Sequence, residues 1–367
     1  MQSIDKQENN SNRIIWLDMA RCFAIVMVVL CHAVETSCKL DNHIWNNTSF
    51  LFRLFRIAGF TLGRLGVPFF LFLSGYLVLN RLQDSDEKVV GFYSRKLLNL
   101  LITVEVWNFF YYFFEVYYLH RNNSILSLIK QCLFLEKSGL SHMWYMPMIL
   151  GLYISVPFLS LIVRNYSMKS IGLPLATGLI AFFVLPSVDL VIKTVNGNFS
   201  GLNLIIDLSF LGGIYGIYLI LGYYVYRTEL LKKISTIIVF LCVGSLYIIT
   251  VFIQYWTYSK GKGYNVWYNF ITLFLCSIFL FELFRRLKYF KCNKLLEKVV
   301  TTISKVSLGI YFFHKPIQIV LINLMMNENK IVVSLITFIT SFVISLLTCI
   351  IIAKNKYLGK YLLFLNN

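Results

Sequence analysis

The sequence predicts an all-α, polytopic membrane protein, a bundle of about ten transmembrane helices with both termini in the cytoplasm. Three observations carry this expectation. The 367 residues are 58% hydrophobic and only 14% charged, with a mean hydropathy of +0.70, whereas soluble domains carry about 25% charge. Ten apolar stretches approach or exceed the roughly 20 residues that a helix needs to cross a bilayer. The 34 Lys and Arg residues are also unevenly shared. With the N-terminus inside, 20 fall in cytoplasmic connections and 10 in outer ones, the bias expected of positive-inside topology. The net charge of +17 is therefore read as topology, and no nucleic-acid partner is expected.

The expected spans are 14–34, 57–80, 97–118, 143–163, 171–192, 208–226, 234–256, 266–284, 303–323 and 331–353. They define one transmembrane domain, 14–353, between cytoplasmic tails 1–13 and 354–367. The first thirteen residues are polar and the first apolar stretch has no cleavage pattern, so no signal peptide is expected. Eight cysteines without a C-x-x-C pair indicate neither a zinc site nor a disulfide framework. Four cations, Arg21, Arg64, Lys305 and Lys315, are assigned to spans and need individual explanations.

The first span keeps Asp18, Arg21, His32 and Glu35 on one stripe, spaced by threes and fours. Arg21 and His32 are ~16 Å apart along that face at ~1.5 Å per residue. Ionisable groups at membrane depth usually face a bundle interior or a water-filled cavity. The plainer alternative is that Arg21 snorkels to one surface while His32 sits at the other. In the second span Arg64 lies in the outer half, with Ser74 and Gly75 toward the cytoplasm. Gly75 permits close approach of either a helix or a ligand. The third span starts with Arg95 and Lys96 at the cytoplasmic surface, where anchoring explains them by default.

The fourth span enters from outside with His142, Trp144 and Tyr145. Trp144 and Tyr145 fit either an interfacial aromatic belt or a platform for a sugar ring. Spans five to eight look chemically quiet. The ninth carries Ser304, Ser307, Tyr311, His314 and Gln318 on a second polar stripe, with Lys315 adjacent and Pro316 within it expected to kink the helix and free a carbonyl. The tenth span and the basic tail read as plain anchoring.

Four motifs in order then resemble the integral membrane acyltransferase 3 family. Leu17-Asp18-Met19-Ala20-Arg21 with His32 is similar to its R-x10-H signature. Val67 to Tyr76, VPFFLFLSGY, is similar to its FF-x-x-SGY stretch. His142-Met143-Trp144-Tyr145-Met146-Pro147 and the run from Ser307 to Pro316 complete the set. The chain departs from the family where Asn99 follows Lys96 in place of the second arginine of R-x-x-R.

The resemblance implies an O-acyltransferase of the cell membrane, the bacterial cytoplasmic membrane by preference. It would move an acyl group, most often acetyl, from acetyl-CoA or another acyl-CoA to a surface glycan or its lipid-linked precursor. Acyl-CoA is then a co-substrate, and no tightly bound cofactor or metal is expected. His32 is assigned as general base, helped by its ordinary pKa of about 6.5, or as a transient acyl carrier. Arg21 and Glu35 complete the catalytic set, with Glu35 orienting the imidazole or simply facing the outer surface. Ser74, Gly75, Arg95 and Lys96 are expected to bind the donor, and Arg64, His142, Trp144, Tyr311 and His314 the acceptor. A secondary transporter or flippase, or a non-catalytic partner of a polysaccharide synthase, are the rival readings.

Overall fold

Among the described residues, ten apolar helices follow one another in the order the hydropathy pattern requires. The computed structural model describes residues 14–81, 85–197, 201–202, 212–289 and 292–365, and these contain no strand. The helices are α1 (Ile15–Ser37), α2 (Phe50–Leu79), α3 (Asp86–Tyr118), α4 (Ser141–Asn165), α5 (Met168–Val195), α6 (Gly213–Thr228), α7 (Thr236–Ser259), α8 (Ile271–Arg286), α9 (Ser307–Leu324) and α10 (Lys330–Ile352). Seven are long and apolar enough to cross a membrane. The other three, α6, α8 and α9, have 16, 16 and 18 residues. The chain is thus an all-α, multi-pass membrane bundle. The expected tail 1–13 and the start of the sixth span, 208–211, lie outside the described residues.

Capping side chains place the helix starts, and several differ from the hydropathy boundaries. Ser49 accepts from Phe52 N at 3.2 Å, which begins α2 seven residues early and draws Arg53 and Arg56 into the helix. Arg56, counted above among outer-loop cations, is buried, and its Nε donates to Cys38 O at 2.6 Å. Ser85 starts α3 at Asp86, so Arg95 and Lys96 lie inside the helix rather than ahead of it. Lys305 does not belong to the ninth span. It ends a separate helix, Lys294–Lys305, and is exposed, with α9 restarting at Ser307.

Helix α1 occupies the centre and packs against α2, α8, α9, α10 and the Lys294–Lys305 helix. Small residues make this possible. A Cβ on Gly63 would stand 2.5 Å from Cys31 Cα, and one on Gly66 2.6 Å from Ala24 O. Outer helices turn their large apolar residues to the lipid and their small polar ones inward. In α10, Ser334, Thr337, Ser341 and Ser345 are buried while Leu335, Ile339, Leu347 and Ile351 are exposed. That inversion follows from a solvent of hydrocarbon, where apolar surface needs no burial and small residues serve helix packing; of the four hydroxyls, Ser341 meets Gln318 Nε2 at 3.3 Å.

The connections collect at two ends. At one, Asn42 Nδ2 donates to Gly261 O at 2.8 Å, Tyr258 Oη donates to Leu40 O at 3.3 Å, and Trp45 stacks on Tyr258. At the other, the buried Glu282 accepts from Arg285 at 2.6 and 2.8 Å and from Arg286 at 2.9 Å. Arg285 also reaches Glu229 at 3.1 Å, and Arg286 donates to Leu231 O and Ile234 O. These two arginines therefore clamp a loop besides contributing to the topology bias.

The tail is not a plain anchor. Residues Lys356–Leu363 form a helix that docks against α3, α9 and α10. Trp107 Nε1 of α3 donates to Leu362 O at 3.0 Å, and Leu363 is buried against Gly309 of α9. A tail with Leu362, Leu363 and Leu365 has enough apolar surface to fold back once the bundle offers a groove.

Candidate active site

Three spaces succeed one another through the bundle. A vestibule of about 730 Å³ opens among Arg21, Arg81, Arg95, Lys96, Lys356 and Lys360, with Asn99 on its wall. Arg21 and Lys96 also line a chamber of about 360 Å³ that includes Ser74, Tyr153, Ser304 and Phe364. Phe70, Tyr145 and Tyr311 line that chamber and also a narrow pocket of about 20 Å³ formed with His32, His142, Trp144 and Tyr268. The basic end and the histidine end thus share walls in series.

Arg21 is held on α1 by Ser304, whose Oγ lies 3.3 Å from Arg21 Nη1 and donates to Asp18 Oδ1 at 2.5 Å. The structure places a serine of the Lys294–Lys305 helix at both members of the Asp18–Arg21 stripe. Lys96 lies 5.1 Å above the ring of Tyr153, and Tyr153 Oη is 3.4 Å from Ser74 Oγ. Gly75, expected at the donor, lies outside this lining. A Cβ there would stand 1.8 Å from Leu219 O, so Gly75 exists to let α2 meet α6.

At the far end three imidazoles converge. The ring centroids of His32 and His314 are 5.4 Å apart, those of His142 and His314 5.3 Å, and those of His32 and His142 6.1 Å. Each histidine is fixed by one nitrogen. His32 Nδ1 is 3.1 Å from Glu35 Oε2. His314 Nδ1 is 3.2 Å from Ile310 O. Both partners only accept, so both histidines donate from Nδ1 and keep Nε2 as an acceptor.

His142 is fixed through Tyr111 and Pro316. Proline lacks an N–H, so the carbonyl of Phe312 has no helical partner. Tyr111 Oη fills that vacancy, donating to Phe312 O at 2.8 Å, and lies 3.2 Å from His142 Nε2. With its proton committed, Tyr111 accepts from His142 Nε2–H, and His142 Nδ1 becomes the acceptor. His142 Nδ1 and His314 Nε2 are buried without a protein partner. Two of these three clustered imidazoles therefore carry a lone pair that no protein group takes.

The neighbouring residues hold this cluster rather than enter it. Lys315 Nζ donates to Thr36 Oγ1 at 2.6 Å, and Thr36 donates to His32 O at 2.6 Å, tying α9 to α1. Tyr311 Oη donates to His142 O at 2.6 Å. Arg64, expected at the acceptor, is one layer behind. It is buried, donates to Tyr268 Oη at 3.0 Å, and lies within 4.6 Å of the Phe60 and Trp267 rings. Trp144 packs among Tyr215, Trp267 and Tyr268 and lines the narrow pocket. Tyr111, Tyr268, Tyr153 and the tail lysines escaped the sequence reading, whereas Ser304 was named there only as part of the ninth span's polar stripe. Of these, only the i, i+4 spacing of Lys356 and Lys360 offered a signal.

A family model for an acyltransferase domain matches residues 14–354. The chain belongs to the acyltransferase 3 family. It is therefore a membrane acyltransferase, and the match spans all four motifs but ends before the tail residues that line the vestibule and the chamber. Searches of curated proteins and of solved structures returned no match. Among the described residues no cluster of His, Cys, Asp or Glu has metal-binding geometry. All eight cysteines are free, and Cys38 Sγ donates to Lys330 O at 3.4 Å.

Proposed function

We propose that this acyltransferase carries an acyl group, most simply acetyl, from a cytoplasmic acyl-CoA to a hydroxyl of a cell-surface glycan or its lipid-linked precursor. The cell envelope of a bacterium, at its cytoplasmic membrane, is the setting that this chemistry fits. The series of spaces carries the reading: an end rich in cations suits a polyphosphate donor, and an end rich in imidazole lone pairs suits a donor of hydroxyl protons. The positive-inside bias puts the first end in the cytoplasm and the second outside.

Glu35 holds the His32 Nδ1–H, so Nε2 takes the proton of the attacking hydroxyl as its oxygen bonds to the thioester carbonyl carbon. The C–S bond then breaks, and the departing thiolate takes the proton from His32. His142 and His314 present further acceptors to a polyol, which has neighbouring hydroxyls to donate. Arg21 and Lys96 line the passage between the phosphates and the reacting carbonyl.

The test is the O-acyl content of surface polysaccharide at matched membrane-protein levels. Cells lacking the gene should lose acyl groups. His32→Gln keeps a polar side chain but no base, and should lose activity by ~10²-fold or more. Unchanged acyl content without the gene would end the glycan reading. Substantial acylation by His32→Gln would end the role of His32 as base.

A further inference from the structure

Lys356 and Lys360, one turn apart on the tail helix, converge on the basic vestibule together with Arg21, Arg81, Arg95 and Lys96. Among the described residues no carboxylate shares that lining. Six cations around one open space repel one another, and the arrangement favours whatever anion enters it. Positive-inside anchoring accounts for lysines near a membrane surface. It does not account for a tail helix fixed so that its lysines close a cavity.

That fixing is specific. Asn355 caps the helix by accepting from Tyr357 N and Leu358 N at 3.0 and 3.1 Å. Trp107 holds Leu362 O, and the buried Leu363 sits so near Gly309 that a Cβ there would stand 2.4 Å from a Leu363 methyl. Past the lysines, Leu363 and Phe364 line the chamber that the vestibule joins. One short segment therefore supplies cations at the mouth and an apolar wall further in. This order matches the phosphates and the amphipathic pantetheine arm of a coenzyme A thioester.

We infer that the C-terminal tail is part of the donor site, with Lys356 and Lys360 binding the nucleotide phosphates and Leu363 and Phe364 walling the pantetheine arm. The inference rests on the acyl-CoA reading above. Phosphate chemistry is shared by lipid headgroups. The vestibule is assigned to the nucleotide because it shares Arg21 and Lys96 with the interior chamber, whereas a headgroup site needs no such passage.

Full-length protein in phosphatidylcholine nanodiscs, titrated calorimetrically with coenzyme A and with pantetheine, decides this. The double variant Lys356→Gln/Lys360→Gln should bind coenzyme A at least about tenfold more weakly, with pantetheine unaffected. Lys356→Arg/Lys360→Arg should bind coenzyme A as the unaltered protein does, which separates loss of charge from loss of fold. Equal coenzyme A affinity in the glutamine variant would overturn the role of the tail and leave the donor reading standing. Absence of coenzyme A binding by the unaltered protein would overturn both. A headgroup site would leave all three proteins equal toward coenzyme A and separate them only in retention of phosphatidylglycerol, which also overturns the assignment.

Discussion

His32 and His314, carried by α1 and α9, stand ring to ring with centroids 5.4 Å apart. The sequence gives no hint of this, because the two motifs lie at opposite ends of the chain. The contact sets His314 directly against His32, the base of the proposed reaction. His32 thus has Glu35 at its Nδ1 and the His314 ring beside it.

His314→Ala should therefore reduce acyl transfer without removing the base itself. A displacement of about 1 Å in a reacting group costs up to ~10²-fold, so a fall of that order is expected. His314→Gln, which refills part of the space, should recover some of it. Transfer rates in membranes at matched protein levels give the answer. Activity of His314→Ala equal to that of the parent would show that His32 is held by Glu35 alone.

Glu35→Gln tests the other restraint on the same ring. The Nδ1–Oε2 contact of 3.1 Å becomes a neutral hydrogen bond, and a charge-assisted one is worth about 1.5–3 kcal/mol. The rate should fall by ~10- to 100-fold, since 1.36 kcal/mol is tenfold. Glu35→Asp should fall between, because the shorter side chain must stretch toward Nδ1. Wild-type rates in Glu35→Gln would place Glu35 outside the catalytic set.

Gly75→Ala separates packing from donor binding. The added methyl would meet Leu219 O at 1.8 Å, so α2 and α6 must separate. Overpacking of this kind costs about 1–3 kcal/mol, occasionally more. Thermal unfolding in detergent should show a lowered midpoint, with coenzyme A affinity of the folded fraction unchanged. A normal midpoint with weakened coenzyme A binding would return Gly75 to the donor site.

Orientation is checked by impermeant thiol labelling in a background without the native cysteines. Asn46 and Lys294 are both exposed, in the connection after α1 and in the helix before α9. Asn46→Cys should react in intact cells, and Lys294→Cys only after the membrane is opened. The reverse pattern would put the basic vestibule outside and remove the route for a cytoplasmic donor.

The membrane class, the ten helices in order, the family motifs and the Arg21–His32 stripe were legible in the sequence by itself. Each depends on local pattern: hydropathy over about 20 residues, or spacing along one helix. The freed carbonyl at Phe312 was legible too, from Pro316. What filled it was not, because nothing near Tyr111 in sequence marks it as the partner of a residue on α9. Tertiary structure alone decided that three histidines meet, that Arg64 and Gly75 stand behind the site, and that the tail closes the vestibule. Hydropathy reads out which residues avoid water, but lipid and protein interior are equally apolar, so it cannot say which helix faces touch. That choice rests on small residues such as Gly63, Gly66, Gly75 and Gly309, which let particular backbones and side chains approach. Lys356 and Lys360 show the same ambiguity in charge: a basic tail reads as topology until the groove that holds it is known.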